Sequence, residues 1–247
     1  MGSQTAHISI LQSINRSQEK SDDGGLSSVY SVGGMQGDTL LDRSLDMPSH
    51  LLGILIGGTS HVGKSTLAER LADRLGWSGL STDKLGRHPG RPWLAMPAPV
   101  AEFYDRLSPE TIHWFLKVHH ENMWPAIRQR IEAESGAGRP FVLEGAALRP
   151  EYMATVVSDQ IFGVLLHADD GFLLQRMRSA AAYEQRTDAE RRPIDAFIDR
   201  SLRENAAFTV AAETVGLRLV DAADERAVAG LFDELVERGA GRQPPEG

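Results

Sequence analysis

The chain has 247 residues, of which 41% are hydrophobic, enough to bury a sizeable core in one domain. Its formal net charge of −8 opposes a broad nucleic-acid footprint, while the absence of cysteine excludes disulfides and thiolate metal sites. No apolar run approaches the ~20 residues of a membrane span and the N-terminus lacks a secretion signal, so a cytoplasmic protein that binds neither nucleic acid nor membrane is predicted.

Residues 1 to about 48 are rich in Ser, Gly, Asp and Gln, with a short apolar patch at Ile8, Ile10 and Leu11. They are expected to form a mobile extension. Met47 precedes the first convincing strand, which raises the expectation of a natural start there. Detection of peptides from residues 1–46 in the native protein would contradict it.

Leu51 to Ile56 is a continuous apolar run ending in glycines, the pattern of a strand buried on both faces of a parallel sheet. Leu67, Leu71 and Leu75, with Ala68 and Ala72 beside them, repeat at helical spacing until Gly76 supplies a stop. A second strand is predicted over Gly79 to Thr82, delivering Asp83 at its end. Gly86 to Pro99 reads as an irregular loop. Ser108-Pro109-Glu110 is a helix start, and Pro125 is expected to kink or divide that helix near Trp124. Strands are predicted over Pro140 to Leu143, ending at Glu144-Gly145, over Ile161 to Leu166, and over Leu217 to Val220. A helix over about 170–182 leads into a charged stretch, 183–192. A further helix follows over about 193–214, and a closing helix ends the chain. Strands alternating with helices predict an α/β fold, a doubly wound parallel five-stranded sheet flanked by helices.

The strongest chemical signal is Gly58-Thr59-Ser60-His61-Val62-Gly63-Lys64-Ser65, which fits G-x-x-x-x-G-K-[ST] between a buried strand and an amphipathic helix. In this pattern the glycines let backbone N–H groups face the phosphates of a nucleotide, and the helix N-terminus adds partial positive charge. Lys64 is expected at the β- and γ-phosphates, Ser65 at Mg²⁺ through its hydroxyl, and Thr66 at the α-phosphate. The phosphate loop thus predicts ATP and Mg²⁺ as cofactors. It does not by itself separate a kinase from a GTPase, a motor or a switch. No Asn-Lys-x-Asp guanine signature is present, and the chain lacks the length for the accessory domains of most motors, which favours a compact kinase.

The segments Ile56 to Thr66, Ser81-Thr82-Asp83 and Val142-Leu143-Glu144-Gly145 resemble the 2-phosphoglycerate kinase-like branch of the P-loop kinases. Asp83 to Pro89, with Arg87, His88 and Pro89, is similar to the substrate loop of zeta-toxin and chloramphenicol phosphotransferase-type kinases. The resemblance implies a kinase domain over 49–240 with a lid at about 176–193, followed by a flexible tail over 241–247. It also implies ATP-dependent transfer of the γ-phosphate to a hydroxyl of a small-molecule acceptor. It places Asp83 at that hydroxyl, a position consistent with ligand binding at the carboxyl ends of parallel strands; capping of the following turn is the other reading of this residue. Glu144 is expected to order Mg²⁺ through water or bind substrate, or else to make a structural hydrogen bond. Among Arg176, Arg178, Arg186, Arg191 and Arg192 in the lid, Arg176 is assigned to the nucleotide and Arg186 to the transferring phosphoryl group. Arg87 and Arg91 flank the acceptor loop and either hold an anionic substrate or lie on the surface.

His113, His119 and His120 lack metal-ligand spacing and are expected to be structural. Trp93, Trp114 and Trp124 either line the acceptor pocket or pack in the core. Candidate acceptors are 2-phosphoglycerate, a sugar or nucleotide sugar, an antibiotic and a nucleoside. A regulator that binds ATP without turnover is the competing reading. The sequence leaves the oligomeric state open.

Overall fold

The computed structural model describes residues 50–86, 90–94 and 97–241. The expected extension over 1–48, Arg87 and nearly all of the expected tail lie outside the described residues. Strands β1 (Gly53–Gly57), β2 (Ser78–Ser81), β3 (Phe141–Glu144), β4 (Ile161–His167) and β5 (Arg218–Asp221) form one sheet in the order β2-β3-β1-β4-β5. Every pairing is parallel. β1 lies in the middle and every residue in it is buried, which explains its unbroken apolar text. Alternation sends Ile54 and Ile56 into one hydrophobic cluster and Leu55 into another on the opposite face.

The first face is covered by α1 (Lys64–Leu75), α5 (Asp170–Ala181) and α7 (Glu225–Ala240), through Leu67, Leu71, Leu173, Met177, Leu231 and Leu235. The second is covered by α3 (Pro109–Gly136), α4 (Pro150–Met153) and the C-terminal half of α6 (Asp188–Val215), through Met123, Ile127, Ile131, Met153, Phe208 and Ala212. β4 begins at its expected position and the other strands within two residues of theirs, and the doubly wound α/β architecture is the expected one.

Three helices depart from expectation. Pro125 lies inside α3 without dividing it. A proline costs a helix interior ~3 kcal/mol, and burial of Met123, Ile127 and Ile131 on the two sides of it, at roughly 1.5–3 kcal/mol each, outweighs that cost. A helix α2 (Ala98–Arg106) begins inside the segment read as loop; Pro99 lies in its first turn, where its missing N–H has no helical partner to lose. Its Tyr104 is buried against Phe197, the ring centroids 6.1 Å apart. α6 begins at Asp188 rather than near 193, because Thr187 and Glu190 form a reciprocal capping box that outweighs Pro193.

Register aligns the strand ends that matter. Ser81 and Ile56 both pair with Glu144, so the carboxyl ends of β2, β3 and β1 lie side by side. The segments after them, carrying Asp83, Gly145 and Gly58, emerge along one edge of the sheet.

Candidate active site

β1 runs into the loop that precedes α1. Gly58 has φ 142°, and a Cβ there would lie 2.5 Å from the Leu166 carbonyl oxygen, so a side chain is excluded by the backbone of β4. Gly63, at φ 108°, precedes α1 without any side-chain cap, which leaves first-turn N–H groups for an anion. Val62 is buried in the core and anchors the loop.

Lys64 is 8% exposed and donates from Nζ to the Thr59 carbonyl at 2.7 Å, which holds the ammonium over the loop. Burial pushes its pKa down, against the opposing pull of Glu144, Glu204 and Asp83. Ser65 Oγ donates to Glu144 Oε2 at 3.2 Å. A hydroxyl and a carboxylate side by side are hard oxygen donors of the kind Mg²⁺ accepts when it keeps waters and phosphate oxygens as its other ligands. That donor set fits Mg²⁺.

Gly145, at φ 155°, lets Thr82 approach the end of β3: a Cβ at Gly145 would overlap Thr82 Oγ1. Thr82 is therefore packed directly onto the end of β3, and Asp83 follows it in a 3₁₀ turn over Thr82–Lys84. Its N–H donates to Ser81 Oγ at 3.4 Å. Asp83 is exposed and lines a cavity of about 250 Å³, together with Ser60, Lys64, Ser65, Thr66, Glu144, Arg91 and Arg176. The opposite wall comes from Leu116, His119, His120 and Met123 of α3, and from Phe197 and Arg200 of α6.

His61 holds φ 64°, its ring 5.4 Å from Trp93 and 6.3 Å from Phe197. Burial, then the nearby charges of Arg91, Lys64, Arg176 and Arg200, lowers its pKa from 6.5 to about 4, so the ring is neutral near pH 7.

The expected lid arginines separate. Arg176 lies over Phe172 at 5.2 Å, and its Nη1 is 3.9 Å from where a Cβ of Gly63 would be, beside the phosphate loop. Arg186 instead donates to the Ala181 carbonyl at 2.9 Å and to Glu190 at 3.4 Å, and lines a groove formed with residues of α2 rather than this cavity. Arg178 and Arg191 stack on Tyr183, and Arg192 lies 3.7 Å from Asp105. Arg91 lines the cavity. Trp114 is exposed, and Trp124 stacks on Tyr152 at 5.2 Å.

Arg200 is a cavity residue that sequence reasoning missed. It is 6% exposed, lies over Phe197 at 4.3 Å and approaches Glu204 at 3.7 Å. Glu204, fully buried, lies 3.1 Å from Thr59 Oγ1 of the phosphate loop. A signal existed: Arg200, Ser201, Glu204 and Asn205 interrupt the buried face that Ile194, Phe197, Ile198 and Phe208 otherwise form. Polar residues at core positions of an amphipathic helix need partners; Glu204 finds one in Thr59 of the loop, while Ser201 and Asn205 donate to the carbonyls of Phe197 and Ala168.

No family model matches the chain, and no curated protein matches it. Solved structures do. A gluconokinase from Sinorhizobium meliloti 1021 is 18% identical with a TM-score of 0.46, over 78% of this chain and 94% of that one. A sugar kinase from Janibacter sp. HTCC2649 is 17% identical with a TM-score of 0.45, over 77% of this chain and 93% of the other. Shikimate kinase from Acinetobacter baumannii, in complex with shikimate, is 15% identical with a TM-score of 0.44, over 76% and 93%.

Proposed function

We propose that the chain is an ATP-dependent kinase that transfers the γ-phosphoryl group to a hydroxyl of a small anionic acceptor. One observation carries the reading: a single cavity is lined by the phosphate loop, by Asp83 and Glu144 at neighbouring strand ends, and by Arg91, Arg176 and Arg200. The loop N–H groups and Lys64 bind the β- and γ-phosphates, and Arg176 beside Gly63 takes up charge on the moving phosphoryl group. Mg²⁺ bound with ATP would be held by Ser65 and Glu144, where it neutralises phosphate charge. Asp83 accepts the proton of the acceptor hydroxyl as its oxygen bonds to the γ-phosphorus. The bond from that phosphorus to the β,γ-bridging oxygen breaks, its electron pair stays on that oxygen, and ADP leaves. Arg91 and Arg200 supply positive charge on the acceptor side, which favours an acceptor bearing carboxylate or phosphate. Arg186 takes no part in this arrangement.

Asp83→Asn tests the assignment, because it keeps size and hydrogen-bonding reach while removing the base. Transfer is expected to fall by roughly 10²- to 10⁴-fold with ATP affinity little changed. Transfer within a few-fold of wild type would make Asp83 a turn residue. Loss of ATP affinity instead would move Asp83 to the Mg²⁺ side and leave Glu144 as the base.

A further inference from the structure

Behind the cavity, polar side chains link the phosphate loop to the acceptor-side segment through the protein interior. Thr59 is fully buried, and its Oγ1 lies 2.9 Å from the Ser201 carbonyl oxygen and 3.1 Å from Glu204 Oε2. Glu204 Oε2 is also 3.7 Å from Arg200. The Tyr104 hydroxyl, which lies near Arg200, donates to the Gly90 carbonyl at 2.9 Å, one residue before Arg91. Hydrogen bonds thereby join the loop to α6, a charge contact joins Glu204 to Arg200, and Tyr104 of α2, beside Arg200, holds the acceptor segment.

We propose that Glu204 is a positioning residue: through Thr59 it fixes the phosphate loop, and through Arg200 it sets the charge that faces the acceptor. The inference rests on the reading of residues 58–65 as a nucleotide loop. It does not depend on what the acceptor is. The hydrogen count sharpens it. The Thr59 hydroxyl has one hydrogen and faces two oxygens, and the Ser201 carbonyl can only accept. That one hydrogen is shared between the carbonyl and Glu204 Oε2, so both contacts depend on the same hydroxyl. Burial raises the Glu204 pKa against the pull of Arg200, the Thr59 hydrogen bond, Lys64 and Arg149, and His120 Nδ1 lies 3.8 Å from Glu204 Oε1. A glutamine keeps an acceptor oxygen for the Thr59 hydroxyl at the same position.

The test is calorimetric titration with Mg·ATP of wild type, Glu204→Gln, Glu204→Ala, Thr59→Val and the double variant Thr59→Val/Glu204→Ala, at a temperature where each is folded by circular dichroism. Glu204→Ala and Thr59→Val are each expected to weaken ATP binding by about 5- to 10-fold, the worth of one buried hydrogen bond. The double variant is expected to be no weaker than either single one, because both remove the same contact. Glu204→Gln is expected to bind within about threefold of wild type. A role in stability alone would lower the melting temperature and leave affinity unchanged, and that result overturns the proposal, as do additive losses in the double variant. Should Glu204→Ala not fold, Thr59→Val against Glu204→Gln decides: equal losses in both overturn it. Failure of wild type itself to bind Mg·ATP would instead refute the nucleotide-loop reading and this proposal with it. Binding without phosphoryl transfer would refute only the kinase.

Discussion

Lys64 concentrates the electrostatics of the site, held over the loop by the Thr59 carbonyl with Glu144, Glu204 and Asp83 as its counter-charges. Lys64→Ala removes the group proposed to bridge the phosphates, and turnover is expected to fall on the order of 10²-fold or more while far-UV circular dichroism stays wild-type-like. Unchanged turnover would contradict the loop assignment. His61 gives a prediction in pH. Above its ordinary value of 6.5 the ring is neutral in both folded and unfolded chains. As pH falls from there toward about 4, the unfolded chain takes up the proton first, so the folded state loses stability across that window. His61→Asn keeps a residue type tolerant of positive φ, and urea unfolding at about pH 7 and about pH 5 is expected to show a smaller loss in the variant than in wild type. Equal losses would show that His61 does not titrate in this way. At this scale the phosphate loop was legible because its chemistry is local: eight consecutive residues carry glycines, lysine and serine at fixed spacing. Arg200 and Glu204 were not, because their relation to Thr59 exists only once α6 lies across the loop, 145 residues away in sequence.

Helix boundaries were the least legible feature, and the reason is proline. Pro99 was read as closing a loop, Pro125 as kinking or dividing a helix, and Pro193 stands about where a helix was read to begin, yet each lies within a helix. Tertiary burial decides such cases: α3 keeps its apolar stripe on both sides of Pro125, and α2 packs Tyr104 near Phe197. The start of α6 was encoded locally all the same, in Thr187-x-x-Glu190. Thr187→Ala removes the cap and is expected to cost about 1 kcal/mol in urea unfolding. An unchanged midpoint would mean that packing of α6 alone sets its start. Strands were more legible because a parallel sheet covered on both faces demands continuous apolar runs between glycine and polar stops.

Across the whole molecule, two helical layers hold five parallel strands so that Asp83, Glu144 and the phosphate loop meet along one edge of the sheet. A ligand that binds only this folded arrangement stabilises it by mass action. Mg·ATP at about 100 times its Kd is expected to add about 2.7 kcal/mol and raise the melting temperature, an effect that Lys64→Ala is expected to diminish. No shift at saturating nucleotide would contradict a functional phosphate loop. The acceptor was beyond the reach of the sequence, since the cavity wall facing the loop is assembled from α3, α6 and the segment around Arg91, none of which carries a motif of its own. The most direct measurement is therefore ADP formation from Mg·ATP in the presence of a panel of small hydroxyl compounds bearing carboxylate or phosphate, with mass analysis of each compound for an added phosphoryl group. The account predicts that at least one of them stimulates ADP release and gains the mass of one phosphoryl group, and that Asp83→Asn abolishes both. Tight ATP binding with ADP formation that is the same with and without every compound, and the same in Asp83→Asn, would contradict it.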